Sequence, residues 1–150
     1  MKIALGADHR GRAVMERVRA VLVGHDHEVI SFGPEEGQVS DYPDAGYPAA
    51  RCVADGRAER AILFCGSGIG MSIVANKVHG IRAALCHDEL TAEMSRRHNN
   101  ANVLCLAADL LGDALVQRII DIWLATPFDA GRHERRVNKI TEYENRENCC

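Results

Sequence analysis

Short apolar segments alternate with amphipathic segments along the whole chain. Five of the apolar segments have the length and composition of a buried strand: 1–5, 28–32, 60–64, 81–85 and 102–106. Hydrophobic residues between them recur at helical spacing, and the predicted helices are 14–24, 43–55, 71–78, 88–97, 112–124 and 132–144. Strands that are separated by helices predict an α/β/α sandwich with a parallel sheet at its centre.

The last predicted helix follows a complete five-strand unit. Its hydrophobic stripe is narrow and consists of Val137, Ile140 and Tyr143. We therefore expect this extra C-terminal helix to pack on a partner subunit. The 150 residues predict a single domain, with a frayed tail from about residue 145 that contains Cys149 and Cys150.

Composition removes several classes of function. The 18 basic and 21 acidic residues give a net charge of -3, which argues against a nucleic-acid-binding protein. No apolar run approaches the roughly 20 residues of a membrane span, and the apolar N-terminus is too short for a signal peptide. The six cysteines include no C-x-x-C pair. These features predict a protein of the reducing cytoplasm without a structural metal.

Polar residues follow the first, third and fourth predicted strands directly. They are Asp8, His9 and Arg10, then 65–70, then Cys86 and His87. Ligands of open α/β sheets bind beyond the carboxyl ends of the strands. We therefore expect the site at this edge of the sheet, with the contribution of Cys86 and His87 left open.

The segment CGSGIGMSIVANK at 65–77 is the most informative one. Gly66, Gly68 and Gly70 alternate, so bare backbone amides come close together where a helix begins, as in an anion-binding loop. The spacing fits neither a dinucleotide-binding fingerprint nor a P-loop. The remaining alternative is a tight turn without a ligand.

Cys65 opens this loop. A thiol among amide donors is favoured as the thiolate, so Cys65 is a candidate base or nucleophile. The alternative is that it only fills a core, which is the prediction for Cys52 and Cys105.

A second polar group lies at the other end of the predicted sheet. His98 and Asn99 end a helix that leads into the fifth strand, and Arg132 and Arg136 share one face of the last helix. Two such guanidiniums could hold a phosphate, although a solvated basic helix end is an equal alternative. If these residues belong with Cys65, a second subunit must supply them, which predicts a dimer with shared sites.

Six motifs in the same order give the chain a specific resemblance. They are GADHRG (6–11), DYPD (41–44), CGSGIGMSIVANK (65–77), GIRAAL (80–85), HNNANVL (98–104) and GRHERRV (131–137). Together they resemble the ribose/galactose isomerase family, which includes type B ribose-5-phosphate isomerases and isomerases of galactose 6-phosphate and allose 6-phosphate. The resemblance implies a Rossmann-like sheet of order 2-1-3-5-4, homodimers or tetramers, and no metal or cofactor.

The resemblance also implies roles for residues of the glycine loop. Cys65 looks like the base that removes the substrate proton, and some relatives use a glutamate at the position of Met71 instead. Ser67 resembles a hydroxyl residue that moves protons between substrate oxygens. The amides of this loop resemble the anion hole for an enediolate, and they belong to Gly66, Gly68, Ile69 and Gly70.

The resemblance implies further roles for residues near both ends of the chain. His98 of a partner resembles the residue that opens the sugar ring, helped by Asp8. The implied binding residues are His9, Arg132 and Arg136 for the phosphate, and Tyr42 and Asn99 for other groups of the substrate.

The leading hypothesis from these residues is interconversion of ribose 5-phosphate and ribulose 5-phosphate, a step of the pentose phosphate pathway. The same chemistry on allose 6-phosphate or galactose 6-phosphate is the nearer alternative. Tetrose phosphates are less favoured because they form no stable ring for His98 to open. A non-catalytic sugar-phosphate sensor and a thiol-based transferase are alternatives from other classes.

Overall fold

The computed structural model describes residues 1–147, so the predicted Cys149–Cys150 tail lies outside the described residues. Its strands are β1 (Lys2–Ala7), β2 (Glu28–Phe32), β3 (Arg60–Cys65), β4 (Ala83–Leu85) and β5 (Val103–Ala107). Its helices are α1 (Arg12–Gly24), α2 (Tyr42–Ala54), α3 (Ile69–Ala75), α4 (Glu89–Asn99), α5 (Asp113–Ala125) and α6 (Arg132–Glu147). None of these helices is both long and apolar enough to cross a membrane.

The five strands form one sheet in the order β2-β1-β3-β5-β4, and every neighbouring pair is parallel. The implied order 2-1-3-5-4 is therefore confirmed. The register pairs Cys65 with Ala107 and Ala7 with Phe64, so the carboxyl ends of β1, β3 and β5 lie side by side. Loops that follow these three strands meet at one edge of the sheet.

Side chains alternate between the two faces of the sheet and pack in two separate cores. Ile3 and Leu5 point to the core formed with α1, α4 and α5, which includes the fully buried Trp123. Ala4 points to the opposite core, formed with α2 and α3. The predicted three-layer arrangement is confirmed, because apolar residues cover both faces of a parallel sheet.

Several elements differ in extent from their predictions, and contacts in the structure account for two of these differences. Helix α3 begins at Ile69 instead of 71, because Gly68 adopts a positive φ of 73° and turns the chain directly into the helix. Strand β4 begins at Ala83 instead of 81. The amides of Arg82 and Ala83 are bound by the side-chain carbonyls of Asn102 and Asn76, at 2.8 and 2.9 Å. Side-chain oxygens thus accept the hydrogen bonds that a neighbouring strand would otherwise accept at these two positions.

The C-terminal helix α6 contacts its own subunit through Val137, which is buried. Ile140 and Tyr143, the rest of the predicted stripe, are 50% and 63% exposed. The helix continues to Glu147, three residues into the segment predicted as a tail. Packing of the stripe on a partner subunit stays a prediction.

Candidate active site

A cavity of about 390 Å³ opens at the carboxyl ends of β1, β3 and β5. The residues that line it come from the loops after these strands and from α2 and α3: Asp8, Arg10, Tyr42, Cys65, Gly66, Ser67, Gly70, Asp109 and Leu110. The sheet edge predicted from the sequence is therefore where the cavity lies. Besides Cys65, five residues that were predicted to act in catalysis or binding line this cavity: Asp8, Tyr42, Gly66, Ser67 and Gly70.

Cys65 is the last residue of β3 and is only 4% exposed. Its carbonyl oxygen accepts a hydrogen bond from the amide of Ala108 at 2.9 Å, and that of Gly66 accepts one from the amide of Asp109 at 3.1 Å. These bonds extend the β3–β5 pairing past the strand ends. The thiol is consequently held on a rigid backbone at the floor of the cavity.

Close contacts leave no room for a side chain at two glycines of the loop. A Cβ atom at Gly70 would lie 2.8 Å from the ring of Tyr42, and one at Gly66 would lie 2.6 Å from Asp109 Oδ2. The Ser67 hydroxyl accepts a weak hydrogen bond from the amide of Ile69 at 3.3 Å. Ile69 itself is 52% exposed and does not line the cavity. The loop thus places Ser67 and bare backbone beside Cys65.

Asp8 is a buried carboxylate, 6% exposed, at the end of β1. Its Oδ1 accepts hydrogen bonds from the amides of Arg10 and Gly11, both at 2.9 Å. These donors hold the carboxylate and stabilise the turn into α1. They leave Oδ2 for a ligand in the cavity.

His9, the next residue, lies outside this cavity. Its Nδ1 is 2.9 Å from the carbonyl oxygen of Ser40, and the side chain lines a neighbouring cavity of about 410 Å³ together with Arg12 and Glu36. Tyr42, by contrast, packs over Gly70 at the mouth of the first cavity. The predicted phosphate-binding role of His9 therefore needs a ligand that extends from one cavity toward the other.

Four predicted site residues lie at the opposite end of the sheet: His98, Asn99, Arg132 and Arg136. The carbonyl oxygen of Asn99 accepts a hydrogen bond at 3.1 Å from Nε of Arg82, which immediately precedes β4. The structure thus brings Asp8, Tyr42, Cys65 and the glycine loop together and places these four apart from them. A single subunit does not assemble the complete predicted set.

His98 stacks on His133, with ring centroids 4.1 Å apart and ring planes 1° from parallel. His133 is buried, and this burial, together with nearby His98, Arg132 and Arg136, lowers its pKa below the ordinary value. Arg132 and Arg136 are exposed on the first turns of α6. This end of the sheet presents positive charge to solvent, as an anion-binding surface does.

His98, Asp129 and His133 also place one ligand-type atom each within 4.8 Å of one another. Cations already occupy the surroundings of this group. Arg97 Nε lies 3.0 Å from Asp129 Oδ2, and Arg132 Nε lies 3.3 Å from His133 Nε2. Their positive charge opposes a bound metal ion, so we assign no metal to the group.

Comparison with known proteins decides the family. The model of the ribose/galactose isomerase family matches residues 3–140 of the chain. The chain belongs to this family. The ribose-5-phosphate isomerase B of Clostridium thermocellum is 44% identical, with a TM-score of 0.96, over 98% of this chain and 99% of that one.

Two further relatives of this isomerase are named with different sugar phosphates. The structure of ribose-5-phosphate isomerase B from Mycoplasma genitalium with bound ribulose-5-phosphate is 37% identical, with a TM-score of 0.92 over 96% of both chains. The D-erythrulose-4-phosphate isomerase of Pectobacterium atrosepticum is 40% identical over 98% of this chain and 97% of that protein.

The isomerase cavity contains residues for which the sequence predicted no catalytic or binding role. Arg10 and Asp109 line it as an ion pair, and Leu110 lies beside them. Arg10 and Asp109 lie in the turns that follow β1 and β5, and this position was the available signal.

Two cysteines that stayed outside the predicted site are buried. Burial raises the pKa of both the Cys86 and the Cys105 thiol. Neither thiol lines the cavity, and His87 does not line it either. Among the four cysteines of the described residues, Cys65 is therefore the one that faces the cavity.

Proposed function

We propose that this isomerase interconverts ribose 5-phosphate and ribulose 5-phosphate through an enediolate, with Cys65 as the base. The observation that carries the proposal is the arrangement of the Cys65 thiol, the Ser67 hydroxyl and the Asp8 carboxylate around one cavity. The ribulose-5-phosphate bound to the Mycoplasma genitalium relative supports the substrate.

The reaction moves one proton between carbons and one between oxygens. Cys65 as thiolate removes the proton from carbon 2 of the open-chain aldose and returns it to carbon 1. Ser67 transfers the hydroxyl proton from oxygen 2 to oxygen 1. A positioned base of this kind contributes about 10² to 10⁴ in rate.

Negative charge develops on the substrate oxygens while the proton is on Cys65. The backbone amides from Gly66 to Gly70 face this charge in the proposal, because the glycines leave no side chain between the amides and the cavity. A preorganised donor of this type contributes about 3 kcal/mol to the stabilisation of a transition state.

The other half of the site comes from a second subunit in this proposal. His98 of the partner opens the sugar ring with Asp8, while Arg132 and Arg136 of the partner bind the phosphate with His9. Asn99 and Tyr42 contact the rest of the sugar. A homodimer is the smallest assembly that completes the site, and a tetramer of such dimers fits equally.

Exposed apolar residues support this assembly. Ile69 and Ile73 lie four residues apart on α3, next to the glycine loop, and are 52% and 56% exposed. Hydrophobic side chains at this spacing form one face of a helix, and burial of that face against another subunit would stabilise a dimer.

The test is an isomerase assay of the wild-type protein and Cys65→Ala against a panel of sugar phosphates. The panel contains ribose 5-phosphate, allose 6-phosphate, galactose 6-phosphate and erythrulose 4-phosphate. We expect ribose 5-phosphate to be the preferred substrate, and Cys65→Ala to lose about 10³-fold or more in kcat while it still binds ligand.

Cys86→Ala is the matched control, since this thiol is buried near the same sheet edge but does not line the cavity. It should keep wild-type kcat. An unaffected Cys65→Ala variant would contradict the proposal and favour a sensor. A covalent sugar adduct on Cys65 in mass spectrometry would favour a thiol-based transferase.

The Pectobacterium relative makes tetrose-phosphate isomerisation the second candidate function. That relative is named for D-erythrulose 4-phosphate and is 40% identical to this chain. A tetrose phosphate reacts without ring opening, so His98→Ala should leave its turnover unchanged and reduce that of ribose 5-phosphate. The cytoplasmic location stays a prediction in either case.

A further inference from the structure

Arg10 and Asp109 form an ion pair at the cavity, and the proposed reaction assigns no role to either. Arg10 lies in the loop after β1 and Asp109 in the turn after β5. The Arg10 Nε donates to Asp109 Oδ2 at 2.7 Å, and the Nη2 lies 2.5 Å from the same oxygen. One edge of the guanidinium is therefore fixed.

A guanidinium has five N–H donors, and this ion pair uses only one edge of the fork. The Arg10 side chain is 59% exposed, so its other edge is open to a ligand. A carboxylate that holds one edge of an arginine while an anion binds the other is a geometry that charge-assisted hydrogen bonds favour.

The backbone of the cavity anchors both ends of the pair. The amide of Arg10 donates to Asp8 Oδ1 at 2.9 Å, and the amide of Asp109 donates to the carbonyl oxygen of Gly66 at 3.1 Å. A Cβ at Gly66 would lie 2.6 Å from Asp109 Oδ2 and 2.9 Å from Arg10 Nε. The pair thus lies directly against the glycine loop.

Charge makes the pair important for an anionic substrate. The lining contains two carboxylates, Asp8 and Asp109, and Arg10 is the one cationic side chain among the described residues that line the cavity. Without Arg10, a phosphorylated sugar would approach two negative charges with no compensating positive side chain in the described lining of this cavity.

We propose that Arg10 binds the anionic phosphate group of the substrate, and that Asp109 is the positioning residue that orients it. This inference rests on the proposed function, which assigns phosphate binding to His9 and to arginines of a partner. It adds a cation from the same subunit as Cys65. Affinity for a phosphorylated sugar then depends on both subunits.

The experiment compares Arg10→Gln and Arg10→Lys with the control Arg17→Gln. Arg17 forms a similar exposed ion pair with Asp113, at 2.8 Å, away from the cavity. Calorimetry measures binding of inorganic phosphate, and assays measure KM and kcat for the preferred sugar phosphate. Arg10→Gln should weaken phosphate binding and raise KM about tenfold, the loss of one charge-assisted contact, with a smaller effect on kcat.

Arg10→Lys should show an intermediate loss, and Arg17→Gln should match the wild type. If Arg10→Gln binds phosphate as tightly as the wild type, the proposal is overturned. This holds even if the Tm of the variant falls, because the ion pair of Arg10 and Asp109 would then only stabilise the fold. A wild-type protein that isomerises no sugar phosphate would refute the proposed function, whereas the phosphate titration would still decide the role of Arg10.

Asp109→Asn tests the positioning role in two backgrounds. It should raise KM about threefold when Arg10 is present and have no effect in combination with Arg10→Gln, because positioning acts only through the arginine. Equal effects in both backgrounds, or tighter phosphate binding by Asp109→Asn alone, would overturn the role of Asp109.

Discussion

The two ends of the sheet carry different chemistry. The carboxyl end holds a cavity with a thiol, a hydroxyl, two carboxylates and a single arginine. The amino end holds a group of arginines, Arg60, Arg82 and Arg96, and the stacked pair of His98 and His133. In the proposed reaction the carboxyl end moves the protons and the amino end of a partner supplies further cations for the phosphate, so neither end alone completes the site.

The arginines of the amino end divide into two kinds. Arg60 donates to the carbonyl oxygens of Trp123 and Leu124, at 2.9 and 3.0 Å, and Arg96 donates to that of Ala101 at 2.5 Å. These inner cations bind carbonyl groups where helices end, which is the favourable place for positive charge. Arg132 and Arg136 instead face solvent, and only such outer cations can bind a ligand.

The largest expected effect comes from mixing inactive subunits. Cys65→Ala and His98→Ala alone should each lose about 10²-fold or more of their activity on ribose 5-phosphate. Dissociation and reassociation of a 1:1 mixture should recover about a quarter of the wild-type activity, because half of the dimers are mixed and each of these has one intact site of two. The assay is turnover of ribose 5-phosphate before and after mixing.

A mixture of Cys65→Ala with Ser67→Ala is the control. Both residues line the cavity of the same subunit. If neither mixture recovers activity, the residues of the two ends do not combine into one site across subunits.

In a mixed dimer of Cys65→Ala and Ser67→Ala, no site carries both changes and none is intact. One site lacks the Cys65 thiol and the other lacks the Ser67 hydroxyl, since both residues line the cavity of the same subunit. We therefore expect no recovery from this mixture, against about a quarter from the mixture of Cys65→Ala with His98→Ala.

The next largest effect concerns the stability of the amino end. Arg96 is only 7% exposed, and burial together with Arg60 and Arg82 lowers its pKa to about 10. Arg96→Met would remove the donors to the carbonyl oxygens of Ala101 and Thr126 and should reduce the free energy of unfolding by about 2 to 3 kcal/mol. Urea denaturation measures this change.

Arg136→Gln is the matched variant from the outer group, because Arg136 is exposed on α6. It should keep the wild-type unfolding midpoint and raise KM for the sugar phosphate. An unchanged midpoint for Arg96→Met, or a large loss of stability for Arg136→Gln, would contradict the division into inner and outer arginines.

The smallest effect is the pH dependence that His133 adds. Its folded-state pKa is lowered, so the unfolded chain takes up a proton at this residue as pH falls through about 6.5 while the folded chain resists protonation. Stability from this residue is therefore present above that pH and is lost below it. Between pH 7.5 and 5.5, the Tm of the wild type should fall more than that of His133→Asn.

His25→Asn serves as the control for this measurement, since His25 is exposed in the turn after α1. Its Tm profile should follow that of the wild type. If His133→Asn and the wild type lose the same Tm over this range, burial and the positive surroundings of His133 do not lower its pKa.

Much of the fold followed from local patterns. The spacing of Val14, Val18 and Leu22 identified α1, and all three residues are buried in one core. The apolar run at 28–32 coincides with β2. The start of β4 could not be read in this way, because side chains of Asn76 and Asn102, distant in sequence, bind the amides at its beginning.

The candidate site was predictable where it depends on a local motif. The alternation of glycines after Cys65 indicated the loop, and strand ends indicated the edge of the sheet on which it lies. Arg10 was expected at this edge, but its ion pair with Asp109 was not predicted, because the two residues are 99 residues apart and meet only through the pairing of β1, β3 and β5. Long-range ion pairs leave no spacing in the sequence.

The sequence by itself determined the strand–helix alternation, the glycine loop with its cysteine, and the separation of Cys65 from His98 by the direction of the chain. Strand direction decides which end of a parallel sheet a loop reaches, so these features need no contact information. The tertiary structure alone decided that His9 faces a different cavity from Cys65 and that Arg10 is held by Asp109. Side-chain packing between distant segments determines both, and local periodicity does not encode it.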